Sequence, residues 1–368
     1  MTARLMAFLN KHRKYICFEE KIKGFNIKSS LRQQKENESM KVLVTGASGF
    51  MGQRLTEKLI SLNYTVRILV REKERMPVAL REKCEVVLGD ITIPETVFGC
   101  CQDIDIVFNL AALMGHDLPS QDAFVRFRKV NVEGLMNIVY EAERCNVKRF
   151  IHVSSTAAMG LLKENLVDEA TPCKPYTPYQ VTKYEGEQFL LDEFRKKKFP
   201  VIILRPSMIY GPGFKGDFLT LAKVCKTGFF PVIGKGKNLS PALYITDLIE
   251  VLLNCVGNGK VGEVYLISSV KSYPLHQVSE IIGKSLDKKI VYVYVPRQLA
   301  VIGAFLIERV FMLIKRKPPI TKRNIESTIT DRIFVVKKAQ KDLHFKQEVS
   351  LEKGLTETIQ YFLEAKYL

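Results

Sequence analysis

The chain has only five histidines, and none stands at zinc-ligand spacing to a cysteine, so no metal site is expected. It also lacks any Cys-x-x-Cys pair. Its eight cysteines (Cys17, Cys84, Cys100, Cys101, Cys145, Cys173, Cys225, Cys255) are scattered, and with no secretory signal in view they read as free thiols in a reducing cytosol. No stretch supplies the ~20 predominantly apolar residues that a membrane-spanning helix needs. Low-complexity tracts and internal repeats are missing as well. What is left is an ordinary globular composition, 46% hydrophobic and 26% charged, in 368 residues, a length that suggests about two domains.

Acidic residues are in deficit. With 56 Lys and Arg against 39 Asp and Glu, the formal net charge is +17. The cations do not gather into a recognisable DNA- or RNA-binding motif, so nucleic acid is not among the expected partners. A phosphorylated cofactor or a lipid headgroup suits such a surface better. Residues 1–39 carry nine Lys and Arg against four Glu and mix short apolar runs with a polar stretch, Ser29–Ser39. They read as a basic N-terminal extension, compatible with disorder, upstream of a domain that starts at Met40.

From Lys41 onward, short β-branched runs alternate with amphipathic stretches of helical length. Strands are expected at Val42–Val44, Val66–Val70, Val86–Leu88, Ile104–Asn109, Phe150–Ser154 and Val201–Leu204, with helices near Met51–Leu62, Glu72–Lys83, Val125–Cys145 and Tyr179–Lys198. This order predicts an α/β fold, a Rossmann-type doubly wound parallel sheet with helices on both faces. The alternation loosens after Leu204, where Pro206, Gly211, Pro212 and Gly213 interrupt the chain. The division implied is a dinucleotide-binding core over 40–205 and, over 206–368, a smaller C-terminal substrate lobe interleaved with it.

Four features carry chemistry. Thr45-Gly-Ala-Ser-Gly-Phe-Met-Gly52 follows a strand and opens a helix: Gly46 and Gly49 permit a tight turn, Gly52 permits close packing, and the helix amino end favours a pyrophosphate. At the end of the second strand, Arg71 stands where an acid would hold a ribose 2′-hydroxyl, which favours NADP(H) over NAD(H), although Glu72 follows at once. Tyr179 and Lys183 are four apart and share a helix face, so a nearby ammonium could make the phenol a usable acid or base. At the strand end Val153-Ser-Ser-Thr-Ala157, Ser154, Ser155 and Thr156 could each orient a substrate oxygen; spacing does not choose among them. His152, inside an apolar run, reads as a satisfied core histidine.

Together with Gly89-Asp90, Asn109-Leu-Ala-Ala112, Asn131-Val-Glu-Gly134 and Arg205-Pro-Ser-Met-Ile-Tyr-Gly-Pro212, these motifs closely resemble the extended short-chain dehydrogenase/reductases, the NAD-dependent epimerase/dehydratase family. The resemblance runs from about Met40 to the carboxyl end. It implies Ser155, Tyr179 and Lys183 as catalytic residues. It implies a cofactor site of Gly46, Ser48, Gly49, Phe50, Met51, Gly52, Arg71, Asp90, Ile91, Leu110, Ala111, Ala112, Tyr179, Lys183 and Pro206, with Asp90 near the adenine. Asn131 is given either a supporting role at the active site or a helix-capping or kink role.

The family's sugar-nucleotide epimerases often carry an Asn where this chain has Met208, and an Arg in the segment that here reads Ser240-Pro-Ala-Leu-Tyr-Ile-Thr-Asp247. Both departures point toward the 3β-hydroxysteroid dehydrogenase and dihydroflavonol reductase-like branch. The expected activity is interconversion of a secondary alcohol and a ketone on an apolar, steroid- or lipid-like small molecule. The alternatives are a nucleotide-sugar epimerase or dehydratase with tightly bound NAD, and a non-catalytic dinucleotide-binding regulator. Leu299–Ile314, followed by Lys315-Arg-Lys317 and Lys322-Arg323, reads either as an interfacial helix or as a packed lobe helix. The expected location is cytoplasmic, peripheral at a membrane through 299–323, with a homodimer as the other partner considered.

Overall fold

Apolar β-branched runs bounded by turns give seven parallel strands in this computed structural model, which describes residues 40–115, 117, 119–160, 162, 166–234, 236, 239–313, 325 and 333–368. The basic extension 1–39 lies outside the described residues. In chain order the first six strands of the main sheet are β1 (Lys41–Thr45), β2 (Thr65–Val70), β3 (Glu85–Leu88), β4 (Ile106–Asn109), β5 (Arg149–Val153) and β6 (Val201–Pro206). After β6 come two small parallel pairs. β7 (Met208–Tyr210) pairs with β9 (Ala242–Tyr244), and β8 (Phe229–Ile233) with β11 (Val291–Val295). Between them β10 (Val264–Ile267) returns to the main sheet and pairs with β6.

The sheet order is β3-β2-β1-β4-β5-β6-β10, so the winding reverses between β1 and β4. Ligands bind beyond the carboxyl ends of the strands at such a reversal. Val42 and Val44 face one core cluster and Leu43 the other. That explains an unbroken apolar run where a one-sided strand would alternate. The Rossmann-type parallel sheet matches the sequence reading, and all six expected strands are present. The seventh, Val264–Ile267, was not expected.

Four helices position the cleft: α1 (Phe50–Ser61), α2 (Gln121–Arg128), α3 (Gly134–Arg144) and α4 (Pro178–Lys197). α2 and α3 are joined without a break by a π-turn, Lys129–Glu133. α4 has a complete start signal: Thr177 and Gln180 form a reciprocal capping box, and Pro178 sits in the first turn. The helix expected over Glu72–Lys83 is corrected. Pro77 divides that stretch into two single turns, Lys73–Arg75 and Val78–Arg81, because proline lacks the N–H that a continuous helix would use.

Candidate active site

A cleft of about 560 Å³ opens at the carboxyl ends of the central strands. Its floor is the turn between β1 and α1. Gly46 has φ +66°, and a Cβ on Gly52 would lie 2.2 Å from the Gly46 carbonyl oxygen, so both positions demand glycine. No side chain caps the amino end of α1 at Gly49. A helix start left open in this way fits the pyrophosphate of a dinucleotide.

Nearly all the expected cofactor residues converge here. Gly46, Ser48, Gly49, Phe50, Met51, Gly52, Arg71, Asp90, Ile91, Leu110, Ala111, Ala112, Tyr179 and Lys183 line the cleft. Pro206 does not; it is buried at the end of β6, in register with Ile267. Arg71 approaches Asp90 at 3.9 Å. Burial alone would raise the Asp90 carboxyl, but two hydrogen bonds from Thr92 and the charges of Arg71 and Lys129 outweigh it and hold the group below its ordinary value. Glu72 faces Arg75 at 4.0 Å and is not part of the wall. Arg75, Lys129, Met114 and Phe214 line the cleft without having been read from the sequence. Phe214 stacks on Phe50 with ring centroids 5.0 Å apart.

The choice among the hydroxyls at the end of β5 depends on a residue far along the chain. Ser154 Oγ donates to Glu187, which is fully buried and bound by Arg205. That hydroxyl is engaged by the core, while other atoms of Ser154 line the cleft and Ser155 is not among the lining residues. Ser155 Oγ accepts from the Ala157 amide at 3.1 Å and hydrogen-bonds Tyr179, so it faces the phenol. Asn131, on the buried side of the π-turn, accepts from Leu113 N at 2.7 Å and donates to Leu113 O and to Thr182 Oγ1, each at 3.1 Å. It thus holds the 110–114 loop to α4 and occupies the kink as well. Such π-turns frequently occur at functional sites.

Tyr179 and Lys183 share one face of α4, but the ammonium is turned away from the phenol. Lys183 Nζ donates to the Val153 carbonyl at 2.8 Å and lies 3.5 Å from His152 Nε2. Burial raises the Tyr179 pKa, and the Ser155 hydrogen bond only partly offsets it. The activation expected from Lys183 is accordingly absent while that lysine bonds Val153. His152 is buried, and burial together with the Lys183 charge keeps it neutral. It is satisfied by Asn109 at 3.0 Å, whose oxygen in turn accepts from Thr45 Oγ1 at 2.6 Å. A polar chain thus runs beneath the cleft from the glycine turn to Lys183.

Burial draws the Lys183 ammonium down to about 8, an effect the Glu187 charge partly offsets. In the unfolded chain it returns to about 10.4. Between these values the unfolded chain holds a proton that the folded one has released, so this group's contribution to stability rises with pH there. Urea unfolding of cofactor-free protein at pH 8 and pH 10 is expected to show the difference between wild type and Lys183→Met growing by about 2 kcal/mol in favour of wild type. A flat difference would mean that the lysine titrates normally.

With this geometry established, comparison with known proteins gives one family. The family model described as the NAD dependent epimerase/dehydratase family matches residues 42–268. A 3-beta-hydroxysteroid dehydrogenase of Mycolicibacterium neoaurum is 26% identical over 341 residues, covering 88% of this chain and 92% of that protein. An N-acetyl-alpha-D-glucosaminyl-diphospho-ditrans,octacis-undecaprenol 4-epimerase of Escherichia coli O157:H7 is 27% identical over 329 residues, covering 88% and 96%. The structure of a UDP-glucuronic acid 4-epimerase from Bacillus cereus, solved with NAD, superposes with a TM-score of 0.69 at 23% identity, covering 89% of this chain and 100% of that one, a likeness of fold. A glycine turn at the head of β1, the reversal between β1 and β4 and a matched span of residues 42–268 agree: the chain belongs to the NAD dependent epimerase/dehydratase family.

Proposed function

We propose that this protein is an NAD(P)(H)-dependent oxidoreductase that interconverts a secondary alcohol and a ketone on an apolar, steroid- or lipid-like substrate. The observation that carries the reaction is the Tyr179 hydroxyl held against Ser155 over a cleft floored by the glycine turn. Bound in that cleft, the nicotinamide supplies or accepts the hydride. Tyr179 donates its proton to the carbonyl oxygen in reduction and takes it back in oxidation. Ser155 steadies the same oxygen while charge develops on it. Lys183, if released from Val153, would be available to the phenol and to a bound cofactor and would lower the cost of ionising Tyr179.

The substrate class rests on a convergence. Met208 and Ala242, from the two segments that depart from the epimerase pattern, are direct partners in the β7–β9 pair, with Ile209 beside Leu243. Ile209 and Phe214 reach the cleft. A diphosphate beside Ile209 and Phe214 would meet apolar groups and a desolvation cost there, while Arg71, Arg75, Arg126 and Lys129 line the rest of the same cleft. The alternative, epimerisation of a sugar carbon by oxidation and re-reduction, draws its support from the undecaprenol-linked 4-epimerase among the relatives. For the cofactor, Arg71 and Arg75 in the wall, with Glu72 turned from it, favour NADP(H).

Tyr179→Phe is expected to lower turnover more than tenfold while leaving the NADPH dissociation constant nearly unchanged; a variant that keeps its rate would place the proton donor elsewhere. Arg71→Asp should raise the NADPH dissociation constant far more than that for NADH, as read by fluorescence titration. Equal affinities in the unmodified protein would remove the NADP(H) preference. Calorimetry with UDP and dTDP on cofactor-saturated protein should show no binding, and micromolar binding of either would replace the apolar reading with the epimerase one.

A further inference from the structure

A helix on a folded protein ordinarily turns its apolar stripe inward and its charges outward. The helix α5 (Arg297–Leu313) does not follow that rule. Its inward contact is made through Ala304, which is 2% exposed, flanked by the partly buried Val301, Ile307 and Phe311. The opposite face carries Leu299, Ile302, Phe305, Leu306 and Val310, whose exposures run from 44% to 61%. Only Arg309 interrupts this stripe, and its guanidinium lies 5.0 Å from the Phe305 ring, as a cation held over an apolar surface would.

The strand leading into α5 shows the same inversion. β11 pairs with β8 so that Val291 stands beside Phe229 and Val293 beside Pro231, and all four are exposed. Lys226, Lys288 and Lys289 are exposed at the edge where Phe229 and Val291 begin. Beyond Arg309 the next charged residues are Lys315, Arg316, Lys317, Lys322 and Arg323, and no acid occurs before Glu326. Residues 314–323 of that basic run lie outside the described residues. Among the described residues no helix is long and apolar enough to cross a membrane. α5, with 17 residues, is about 26 Å long and carries Glu308 and Arg309 within it.

We propose that the outward face of α5, with the Phe229–Val291 edge, docks on the anionic surface of a lipid bilayer, lying in the interface rather than spanning it. Apolar side chains flanked by cations are the composition that an anionic headgroup layer complements, since the side chains enter the acyl boundary while the cations meet the headgroups. A second copy of the chain is the weaker occupant. Two such faces brought together would oppose like charges around a shared apolar patch, in a protein already at +17.

Flotation of the full chain with vesicles of phosphatidylcholine, or of phosphatidylcholine mixed with phosphatidylglycerol, tests the assignment. Wild type is expected to float with the mixed vesicles at low salt, to float poorly with the neutral ones, and to be released by high sodium chloride. The double substitution Ile302→Glu with Leu306→Glu should weaken attachment about tenfold or more, with NADPH binding and the thermal midpoint kept. Lys288→Glu with Lys289→Glu should remove several-fold of the preference for anionic vesicles while leaving the apolar stripe intact. Three outcomes overturn the proposal: no flotation with either vesicle, flotation unaffected by the Ile302 and Leu306 substitutions, or a dimer in sedimentation that those same substitutions dissociate.

Discussion

Glu187 has no exposed surface, and Arg205 reaches it through Nε and Nη2 at distances of 2.6–3.2 Å. Ionised groups removed from water this completely persist only when paired and hydrogen-bonded, and losing one partner commonly costs about 3–5 kcal/mol. The pair joins α4 to β6 and, through the Ser154 hydroxyl, to the end of β5. Tyr179, Lys183 and Glu187 recur every four residues on α4, so fixing the third sets the azimuth of the first two. Ser155 follows this anchored neighbour directly and hydrogen-bonds the phenol. The positions of the candidate proton donor, the lysine and the orienting serine all follow from this one buried ion pair.

Much of the fold was legible because parallel strands buried on both faces leave a strong, uninterrupted apolar signal. Val264–Ile267 escaped because its four residues follow a Gly-rich turn in a region where the regular alternation had ended. After β2, amphipathic spacing alone predicts one helix, but Pro77 interrupts it. At the site, helix spacing was enough to pair Tyr179 with Lys183. Which hydroxyl is free could not be read locally, since the answer depends on Glu187, a residue on another element. Lys129 was invisible for a similar reason: a π-turn changes which residues of a helix face the cleft, and no periodicity of 3.6 anticipates it.

His152 shows how a correct reading can still be incomplete. The sequence marks it as a core residue, and it is one. Burial also gives it Lys183 as a neighbour, because the place at the end of β5 that shelters an imidazole is the place where α4 delivers that lysine. The wall opposite is a similar case. Met208 and the segment Ser240–Asp247 depart from a family pattern at separate places in the sequence, and the β7–β9 pairing sets them side by side, with Ala242 and Leu243 buried and Ile209 at the cleft.

The return of the chain to the main sheet has a consequence for biosynthesis. β6 is complete at Pro206, yet its outer neighbour ends at Ile267, with both small strand pairs begun in between. At translation rates of about 5–20 residues per second, the outer edge of β6 stays uncovered for several seconds after that strand has been made. An apolar strand with one free edge is a template for pairing with other chains. During synthesis of this protein β6 is therefore itself an edge strand for a time, and β10 takes over that place once the ribosome has reached residues that contribute nothing to the cleft.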